Sequence, residues 1–514
     1  MIVSNPAKAP QWRDEIRAAW AVPYVRAGLV ATIIIALGSL TPAYLPQASP
    51  VWPILRSIGL AGQIGRVAGT ILTVCGVFLL VDAWFRLRHG VYARLKPLIV
   101  IGIWALPFLV SPPIFSHDVY SYGAQGWMIH NGQNPYDGGP GLVPGPFSDY
   151  TPWVWRYTAA PYGPVALQIA RAIVELSHGL PWLAALLMRL PAVIGVILVV
   201  TLLPRIAQRT GADVRQVVWF ACLNPLLVID YIGGAHNDAW MMGLVVTGLW
   251  LATRVRWWPA GAVLIGVAAA MKQPAIIVAV FLPWLTQGFS SWRDRSAVWP
   301  ALGRSFLSGM IAVAVFVAAS FSTGLGFGWV DAVSVPGSVG SIAPAYLIGQ
   351  LVQWLVGPGS TAAVVIVNRV VLVAGLVFIA WITIKDGGSK PWKALSWSLL
   401  ALAFSLAALH PWYLLWGGLL LPLSRTRRNV PWPAVLVVIL MLCYAAMNVG
   451  DRNGTFAIIV AALAVLVWLA HLAIYHHFGS VVMTWWRGLL GRRPHQADLV
   501  EESARDDRDL PTQT

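Results

Sequence analysis

The sequence predicts an all-α integral membrane protein that crosses the bilayer about 13–14 times. Of its 514 residues, 58% are hydrophobic and only 11% are charged, whereas a soluble domain carries about 25% charged residues. Many segments approach or exceed the roughly 18 apolar residues that a spanning helix needs. The three cysteines, Cys75, Cys222 and Cys443, lie in apolar segments, which excludes an external disulfide framework and a Cys/His metal spacing.

The first apolar run, 27–45, is long and lacks a small-residue cleavage site, so it predicts a retained helix rather than a removed signal peptide. The pair 258–271 and 275–287 is short for two full spans and is compatible with a broken or re-entrant element around Lys272-Gln273-Pro274. All predicted spans, in chain order, are 27–45, 65–84, 97–111, 182–203, 217–232, 240–253, 258–271, 275–287, 305–322, 362–383, 394–409, 412–423, 431–447 and 456–475.

The placement of basic residues predicts the orientation of the chain. Lys and Arg concentrate in cytoplasmic loops of membrane proteins, so the net charge of +15 does not indicate nucleic-acid binding. With a cytoplasmic N-terminus, the basic clusters fall on one face: Lys8 to Arg26, Arg86 to Lys96, Arg205 to Arg215, Arg254 and Arg256, Arg293 to Arg304, Lys385 to Lys393, Arg425 to Arg428, and the tail from Arg487. We therefore expect a cytoplasmic segment at 1–26, a transmembrane domain at 27–476 and a cytoplasmic, partly disordered tail at 477–514.

One long polar stretch, 112–163, interrupts the apolar segments. It is rich in Tyr, Trp, Gly and Pro and lacks runs of like charge, which argues against a disordered linker. Counting 164–180 as a span would place the clusters Arg205–Arg215 and Arg254–Arg256 outside. We therefore predict an amphipathic helix there, at the outer interface, within an extracytoplasmic loop of 112–181.

Polar residues gather at the outer ends of the predicted spans. Ionisable groups at membrane depth are costly and suggest a function, so this face is the predicted site. The candidate substrate-binding residues are His117, Tyr120, Tyr122, Gln125, Tyr136, Tyr162, His236, Asn237, Asp238, Lys272, Gln273, His410 and Tyr413, and the candidate catalytic residue is Asp118.

Simpler explanations exist for each signal. Asp118 can serve as a favourable acid in a first helical turn, and His236-Asn237-Asp238 can be a tight polar turn. Lys272 can snorkel to lipid headgroups, and His410-Pro411 can be only a helix end. The aromatic residues can belong to an interfacial belt.

An external carboxylate with a nearby cation and aromatic rings suits a sugar donor carried on a lipid phosphate. The carboxylate would take the proton from the attacking hydroxyl, and the cation would stabilise charge on the departing phosphate. The sequence has neither a P-loop nor a Rossmann fingerprint. The loop has no Asp-x-Asp spacing either, so no metal and no cofactor are predicted.

Four motifs resemble one known family. They are Ser-His-Asp-Val-Tyr-Ser-Tyr-x-x-Gln-Gly from Ser116, Asn-Pro-Tyr from Asn134, Ala-Pro-Tyr-Gly-Pro from Ala160 and Gly-Gly-x-His-Asn-Asp from Gly233. Together they resemble the actinobacterial polyprenol-phosphate-mannose-dependent α-1,6-mannosyltransferases of the MptA/MptB type, in the GT-C superfamily of membrane glycosyltransferases. The resemblance spans roughly 25–480, and 112–163 is its most specific part.

The resemblance implies a GT-C fold and an inverting enzyme of the plasma membrane. Such enzymes transfer mannose from a polyprenyl-phosphate-mannose donor to the α-1,6-mannan glycolipid acceptor of lipomannan and lipoarabinomannan, on the outer side. Asp118 matches the catalytic Asp that GT-C enzymes carry in an early external loop. Early and late mannan elongation are not distinguished. Two alternatives are another GT-C transferase, such as an arabinofuranosyltransferase, and a transporter or flippase of the lipid carrier.

Overall fold

The structure is a computed structural model that describes residues 12–450 except 47, 89–94, 333–340, 358–360 and 425–431. The predicted span 456–475, the predicted tail and residues 1–11 of the predicted N-terminal segment lie outside this range. The described part of the chain is helical and has no β-strand. The prediction of an all-α polytopic membrane protein is therefore confirmed.

The first half of the chain forms two groups of helices. The amino-terminal group is α1 Trp12–Ala21, α2 Pro23–Ser39, α3 Trp52–Ser57, α4 Gln63–Arg86 and α5 Pro97–Ala105, which continues into a 3-10 turn at Leu106–Leu109. The long loop then folds into α6 Asp118–His130, a 3-10 turn Pro140–Leu142, α7 Pro146–Tyr150, α8 Trp153–Arg156 and α9 Pro164–Leu176.

The second half contains the remaining helices, several of them broken. The central elements are α10 Pro181–Leu187, α11 Arg189–Thr210, α12 Val214–Gln216, π-helical segments Val217–Cys222 and Leu227–Gly233, α13 Asp238–Ala252, α14 Trp258–Ala269, a 3-10 segment Gln273–Ile277, α15 Val278–Phe281, α16 Trp284–Gln287 and α17 Arg295–Ser322. The last elements are α18 Trp329–Ala332, α19 Pro344–Val356, α20 Thr361–Asp386, α21 Pro391–Ser405, a 3-10 turn Pro411–Tyr413, α22 Leu414–Gly418, a 3-10 turn Leu421–Ser424 and α23 Trp432–Gly450.

Long apolar helices make this a multi-pass membrane protein. Within the described residues, four helices are long and apolar enough to cross a bilayer: Gln63–Arg86, Pro181–Thr210, Arg295–Ser322 and Thr361–Asp386. The count rises to six if the bent pairs Trp12–Ser39 and Val214–Gly233 each form one span. Five further apolar helices of 10–17 residues are shorter than the about 20 residues of a full span. The total of about 13–14 crossings stays a prediction.

Three elements of the structure bear on the predicted list of membrane spans. The predicted span 412–423 is a series of short turns, because Pro411, Pro422 and two consecutive glycines interrupt it. Helix α19 was not predicted, since its 13 residues are too few for the length of a span. Helix α9 rises only about 20 Å, so it is too short to cross the bilayer; its predicted position at the outer interface stays a prediction.

Small residues allow the central helices to approach closely, as is typical of membrane helix pairs. Helices α11 and α13 meet at Gly195 and Gly243, where a Cβ on Gly195 would collide with the backbone of Ala239. Arg209, in the last turn of α11, bonds Thr253, the residue that follows α13, so the two helices run in the same direction. Their first residues, Arg189 and Asp238, therefore lie at the same end as the candidate site.

Candidate active site

Asp118 is the first residue of α6, and the chain turns sharply just before it. Phe115 has φ 59°, a left-handed conformation that is strained for a bulky residue. The backbone N–H of Asp118 donates to Ser116 Oγ at 3.1 Å. His117 makes no capping hydrogen bond and instead donates from Nε2 to the Tyr44 carbonyl at 2.6 Å. These contacts fix the turn that presents the Asp118 carboxylate.

A second strained turn presents His236. Ala235 has φ 51°, and the His236 side chain is fully buried. Its Nδ1 lies 3.3 Å from the Tyr122 hydroxyl and 3.9 Å from Asp118 Oδ2. The imidazole stacks on Trp412, with ring centroids 3.6 Å apart. Asp118 and His236 are 118 positions apart in the sequence, and the two turns thus bring them together at one point.

A buried ion pair lies beside these groups. Lys272 Nζ is 2.8 Å from Asp238 Oδ2, and the two side chains are 11% and 0% exposed. Trp416 Nε1 donates to the other carboxylate oxygen of Asp238 at 2.7 Å. The ammonium also lies over the rings of Tyr413, at 4.4 Å, and Tyr162, at 5.8 Å, a cation–π arrangement. Lys272 therefore does not snorkel to the headgroups.

The long loop is fastened to the backbone next to Lys272. The N–H groups of Gly163 and Val165 donate to the carbonyls of Met271 at 3.1 Å and Ala270 at 3.0 Å. Only glycine fits at 163, because a Cβ there would collide with the Ala270 backbone. Gln273 Nε2 adds a bond to the Pro161 carbonyl at 3.2 Å. The break between α14 and the following 3-10 segment, which was predicted at Lys272-Gln273-Pro274, is thus the anchor of the loop.

Two adjoining pockets open at this cluster. One has a volume of about 370 Å³ and is lined by Asp118, Ser121, Gln125, Trp155, Thr158, Ala159, Pro161, Tyr162, His410 and Tyr413. The other, of about 400 Å³, shares Gln125 and Tyr162 with the first and also contains His236 and Asn237. Both volumes include the open mouth of the pocket. A carboxylate, an imidazole, an amide and aromatic faces therefore surround one space.

The Asp118 carboxyl group has an altered acidity. Burial raises the pKa of Asp118 to about 6, an effect that the charge of Lys272 partly opposes and the charge of Asp238 reinforces. Its side chain is 16% exposed, so a substrate can reach it. A carboxylate with a pKa near the working pH can both accept and release a proton, as a general base requires.

The structure brings most of the predicted residues together and gives others supporting positions. Asp118, Tyr122, Gln125, Tyr162, His236, Asn237, His410 and Tyr413 line the two pockets, and Asp238 and Lys272 lie beside them. His117, Tyr120, Tyr136 and Gln273 do not line the pockets. Tyr136 donates to the Tyr162 carbonyl at 2.8 Å, and the Tyr120 ring packs on Tyr150 at 5.5 Å.

Three tryptophans of the candidate site were not among its predicted residues. Trp416 bonds Asp238, Trp412 stacks on His236, and Trp155 lines the pocket of Asp118. Trp416 lies four residues after Trp412 and three after Tyr413, a spacing that places it beside both on a helix surface. This spacing could have predicted that the tryptophans belong to the same site as Tyr413. Among the described residues, no group of three or more His, Cys, Asp or Glu side chains is arranged to hold a metal ion.

Arg189, which is buried in the membrane domain, holds the two strained turns together. Its Nε and Nη2 donate to the carbonyls of Ile232 at 3.2 Å and Gly233 at 3.1 Å. The Gly233 carbonyl also accepts the N–H of Ile114, at 3.3 Å. One carbonyl thus joins the approach to Asp118 with the approach to His236, and a cation at the carboxyl end of a helical segment is favourable there.

We expect Arg189→Met to lower turnover at least tenfold and to destabilise the protein by about 1.5–3 kcal/mol, because hydrogen bonds from a charged donor are lost while the Ile232 and Gly233 carbonyls each keep a backbone N–H donor. Arg189→Lys should recover part of both losses, because the ammonium can reach one of the carbonyls. Turnover and thermal midpoint, measured on purified protein, check this. Arg171→Met, at a 45% exposed arginine of α9, is the matched control and should change neither quantity. Normal turnover in Arg189→Met would contradict the positioning role.

Comparison with known proteins places the chain in a family. A model of the family described as α-(1→6)-mannopyranosyltransferase, N-terminal domain, matches residues 25–288. The chain is 30% identical over 432 residues to α-(1→6)-mannopyranosyltransferase A of Mycobacterium tuberculosis, covering 79% of this chain and 81% of that protein. It is 28% identical over 462 residues to α-(1→6)-mannopyranosyltransferase A of Corynebacterium glutamicum, covering 82% and 93% of the two chains.

The chain is also similar to a relative that is named as the B enzyme and not the A enzyme. α-(1→6)-Mannopyranosyltransferase B of Corynebacterium glutamicum is 27% identical over 433 residues, covering 76% of this chain and 71% of that protein. No solved structure matches the chain. The family match covers the long loop, the His236 turn and the Lys272 segment. The chain therefore belongs to the α-(1→6)-mannopyranosyltransferase family of membrane glycosyltransferases.

Proposed function

We propose that this protein transfers mannose from a polyprenyl-phosphate-mannose donor to the α-1,6-mannan of lipomannan and lipoarabinomannan, on the outer face of the plasma membrane, with Asp118 as general base. The observation that carries the proposal is the Asp118 carboxylate, which lines a pocket beside the Lys272–Asp238 pair and has a pKa raised to about 6. The names of the relatives supply the sugar and the linkage.

In the proposed reaction, the acceptor's 6-hydroxyl oxygen attacks the anomeric carbon of the donor mannose. The new C–O bond forms as the bond from that carbon to the phosphate oxygen breaks. The hydroxyl proton passes to Asp118, and polyprenyl phosphate leaves with the electron pair of the broken bond. Attack opposite the leaving group inverts a β-linked donor to an α-linked product. Lys272 carries three N–H donors and stabilises the charge that develops on the phosphate.

The outer location is supported by charge at the two ends of the bundle. Helix α11 rises about 30 Å from Arg189, beside the site, to Arg209, which bonds Thr253 at the end of α13. Several predicted cytoplasmic Arg and Lys clusters lie at that far end. Basic residues favour the cytoplasmic side, which supports an outward-facing site at the opposite end. Cytoplasmic termini stay a prediction from the charge pattern of the sequence.

Transfer in a defined system tests the proposal. The purified protein is placed in liposomes with radiolabelled polyprenyl-phosphate-mannose and a short α-1,6-mannoside acceptor. We expect the label in a longer mannoside that an α-1,6-specific mannosidase shortens again. Transfer from polyprenyl-phosphate-arabinofuranose alone would contradict the donor sugar. Movement of the intact labelled lipid between leaflets without transfer would contradict the enzymatic assignment.

The rate should also fall in acid. The base acts as the carboxylate, and its pKa of about 6 means that this form is lost as the pH decreases through 6. We expect kcat/KM to be level above about pH 7 and to drop to about one tenth of that level at pH 5. Initial rates between pH 5 and pH 8 measure this. A flat profile over that interval would exclude Asp118 as the titrating base.

A further inference from the structure

A second cavity lies at the end of the bundle opposite the active site. It has a volume of about 1200 Å³, with its open mouth included, and is formed where α11, α16 and α20 end and α21 begins. Its described lining contains the cationic side chains of Arg209, Lys390 and Lys393, the hydroxyl groups of several serines and threonines, and the rings of Trp284, Phe289 and Trp392, but no acidic side chain. The proposed reaction does not use it.

The positive charge at this cavity is only partly balanced. Asp386 lies just outside the lining, where its carboxylate is 2.7 Å from Lys393 Nζ and 3.8 Å from Lys390 Nζ. One carboxylate thus serves two ammonium groups. Arg209 has no acidic partner in the described part of the chain, so the three cations of the lining face a single negative charge.

Arg209 is nevertheless held in place. Its Nη1 donates to Thr253 Oγ1 at 3.1 Å, and its guanidinium lies 5.1 Å from the centroid of the Trp250 ring. Arg254 lies over the same ring at 4.8 Å. Two guanidinium groups on one indole repel each other, and an anion between the cations would relieve that repulsion. A fixed guanidinium with donors to spare is a typical phosphate ligand.

An apolar stripe leads away from this cavity. Val373, Val377, Trp381 and Ile384 of α20 are each 48–63% exposed, and their spacing of three and four residues places them along one helical face. Helix α20 is long and apolar enough to cross a membrane, and only 6% of its most apolar 18-residue stretch is buried. Acyl chains can therefore pack along α20 while a headgroup lies at the cavity.

We propose that the cavity at Arg209, Lys390 and Lys393 binds the phosphate of an anionic phospholipid from the cytoplasmic leaflet. Basic pockets between helices on the cytoplasmic side are suited to anionic headgroups. The phosphate oxygens accept hydrogen bonds from Arg209 and Lys390, and the acyl chains lie against the stripe on α20. The bound lipid joins the ends of α11, α20 and α21 at the face away from the active site.

The test measures lipid binding to the full-length protein in a neutral detergent. Phosphatidylglycerol is titrated in and bound lipid is counted by native mass spectrometry, with phosphatidylcholine as the uncharged reference. We expect Arg209→Gln combined with Lys390→Gln to weaken phosphatidylglycerol binding at least tenfold and to leave phosphatidylcholine binding unchanged. The matched control is Arg205→Gln combined with Lys385→Gln, which also removes two charges, one from α11 and one from the end of α20, but from outside the cavity lining. It should stay within twofold of the wild type.

Two outcomes would overturn the proposal. Equal weakening by the site variant and the control variant would show a general effect of net charge and no site. Competition by glycerol 1-phosphate as strong as that by phosphatidylglycerol would assign the phosphate group to a soluble compound and remove the lipid assignment. The thermal midpoint of each variant is measured without added lipid. It should match that of the wild type, because the substituted Arg and Lys side chains are exposed. A matching midpoint excludes misfolding as the cause of weaker binding.

Discussion

Asp118→Asn is expected to reduce kcat by about 10²–10⁴-fold, the usual contribution of a general base. The amide has nearly the same shape as the carboxylate, so donor and acceptor should still bind in the pocket that Asp118, Gln125 and Tyr162 line. KM should therefore change much less than kcat. Single-turnover rates with labelled donor, measured on folded protein, give the comparison.

The same substitution should not destabilise the protein at neutral pH. Burial raises the pKa of Asp118 from 3.8 to about 6, so the folded state disfavours the charged form. A raised pKa contributes stability at low pH, and this contribution is lost as the pH increases through 6. Asn carries no charge, and we expect the variant to be more stable than the wild type at pH 8 by up to about 3 kcal/mol, with the difference vanishing near pH 4.

Asp137→Asn provides the matched control, because Asp137 is an exposed carboxylate in the same loop. It should leave kcat, KM and the thermal midpoint unchanged. Near-normal kcat in Asp118→Asn would refute the assignment of the base. An inactive variant that is also less stable at pH 8 would instead indicate that the Asp118 carboxylate supports the fold.

Local signals in the sequence predicted several of the segments that form the candidate site. The sequence allowed Asp118 to lie in a first helical turn, and it is the first residue of α6, Asp118–His130. The break at Lys272-Gln273-Pro274 was anticipated because Pro and polar residues interrupt an apolar run, and Lys272 indeed precedes a 3-10 segment. Such features depend on residues close in sequence, which is why single-sequence reasoning finds them.

The partners within the site depend on the packing of distant segments. Asp238 bonds Lys272, 34 residues away, and Trp416, 178 residues away. Charge and hydropathy showed that polar residues share one face, but sequence spacing does not determine which of them meet. The region around Trp416 was also predicted as a regular span, and the turns that place its indole on Asp238 were therefore missed.

Substitutions in the buried pair of Lys272 and Asp238 are expected to have large effects, and these effects should differ between stability and turnover. Lys272→Met leaves the Asp238 carboxylate fully buried, with Trp416 Nε1 as its remaining hydrogen-bond donor. Removing one partner of a buried ion pair costs about 3–5 kcal/mol. Asp238→Asn leaves the ammonium buried among the rings of Tyr162 and Tyr413 and should cost a similar amount.

The double variant, Lys272→Met with Asp238→Asn, removes both charges. The Asn oxygen can still accept from Trp416, and we expect stability within about 1–2 kcal/mol of the wild type, because a buried pair contributes little net stability once both partners are replaced. Thermal midpoints of the four proteins give the coupling energy. The carboxyl end of α4 supplies a half-buried comparison pair, Asp82 and Arg86, at 2.8 Å, whose replacement should leave turnover unchanged.

Turnover in the double variant should not recover with stability. The cation that opposes the charge on the leaving phosphate is gone, and an electrostatic contact of this kind contributes about 10²–10³-fold to kcat. Lys272 also lowers the pKa of Asp118 more than Asp238 raises it, so losing both should move the acid limb of the rate profile to higher pH. A stable double variant with wild-type turnover would mean that the pair only supports the fold, and that the leaving phosphate is stabilised by other groups of the pocket.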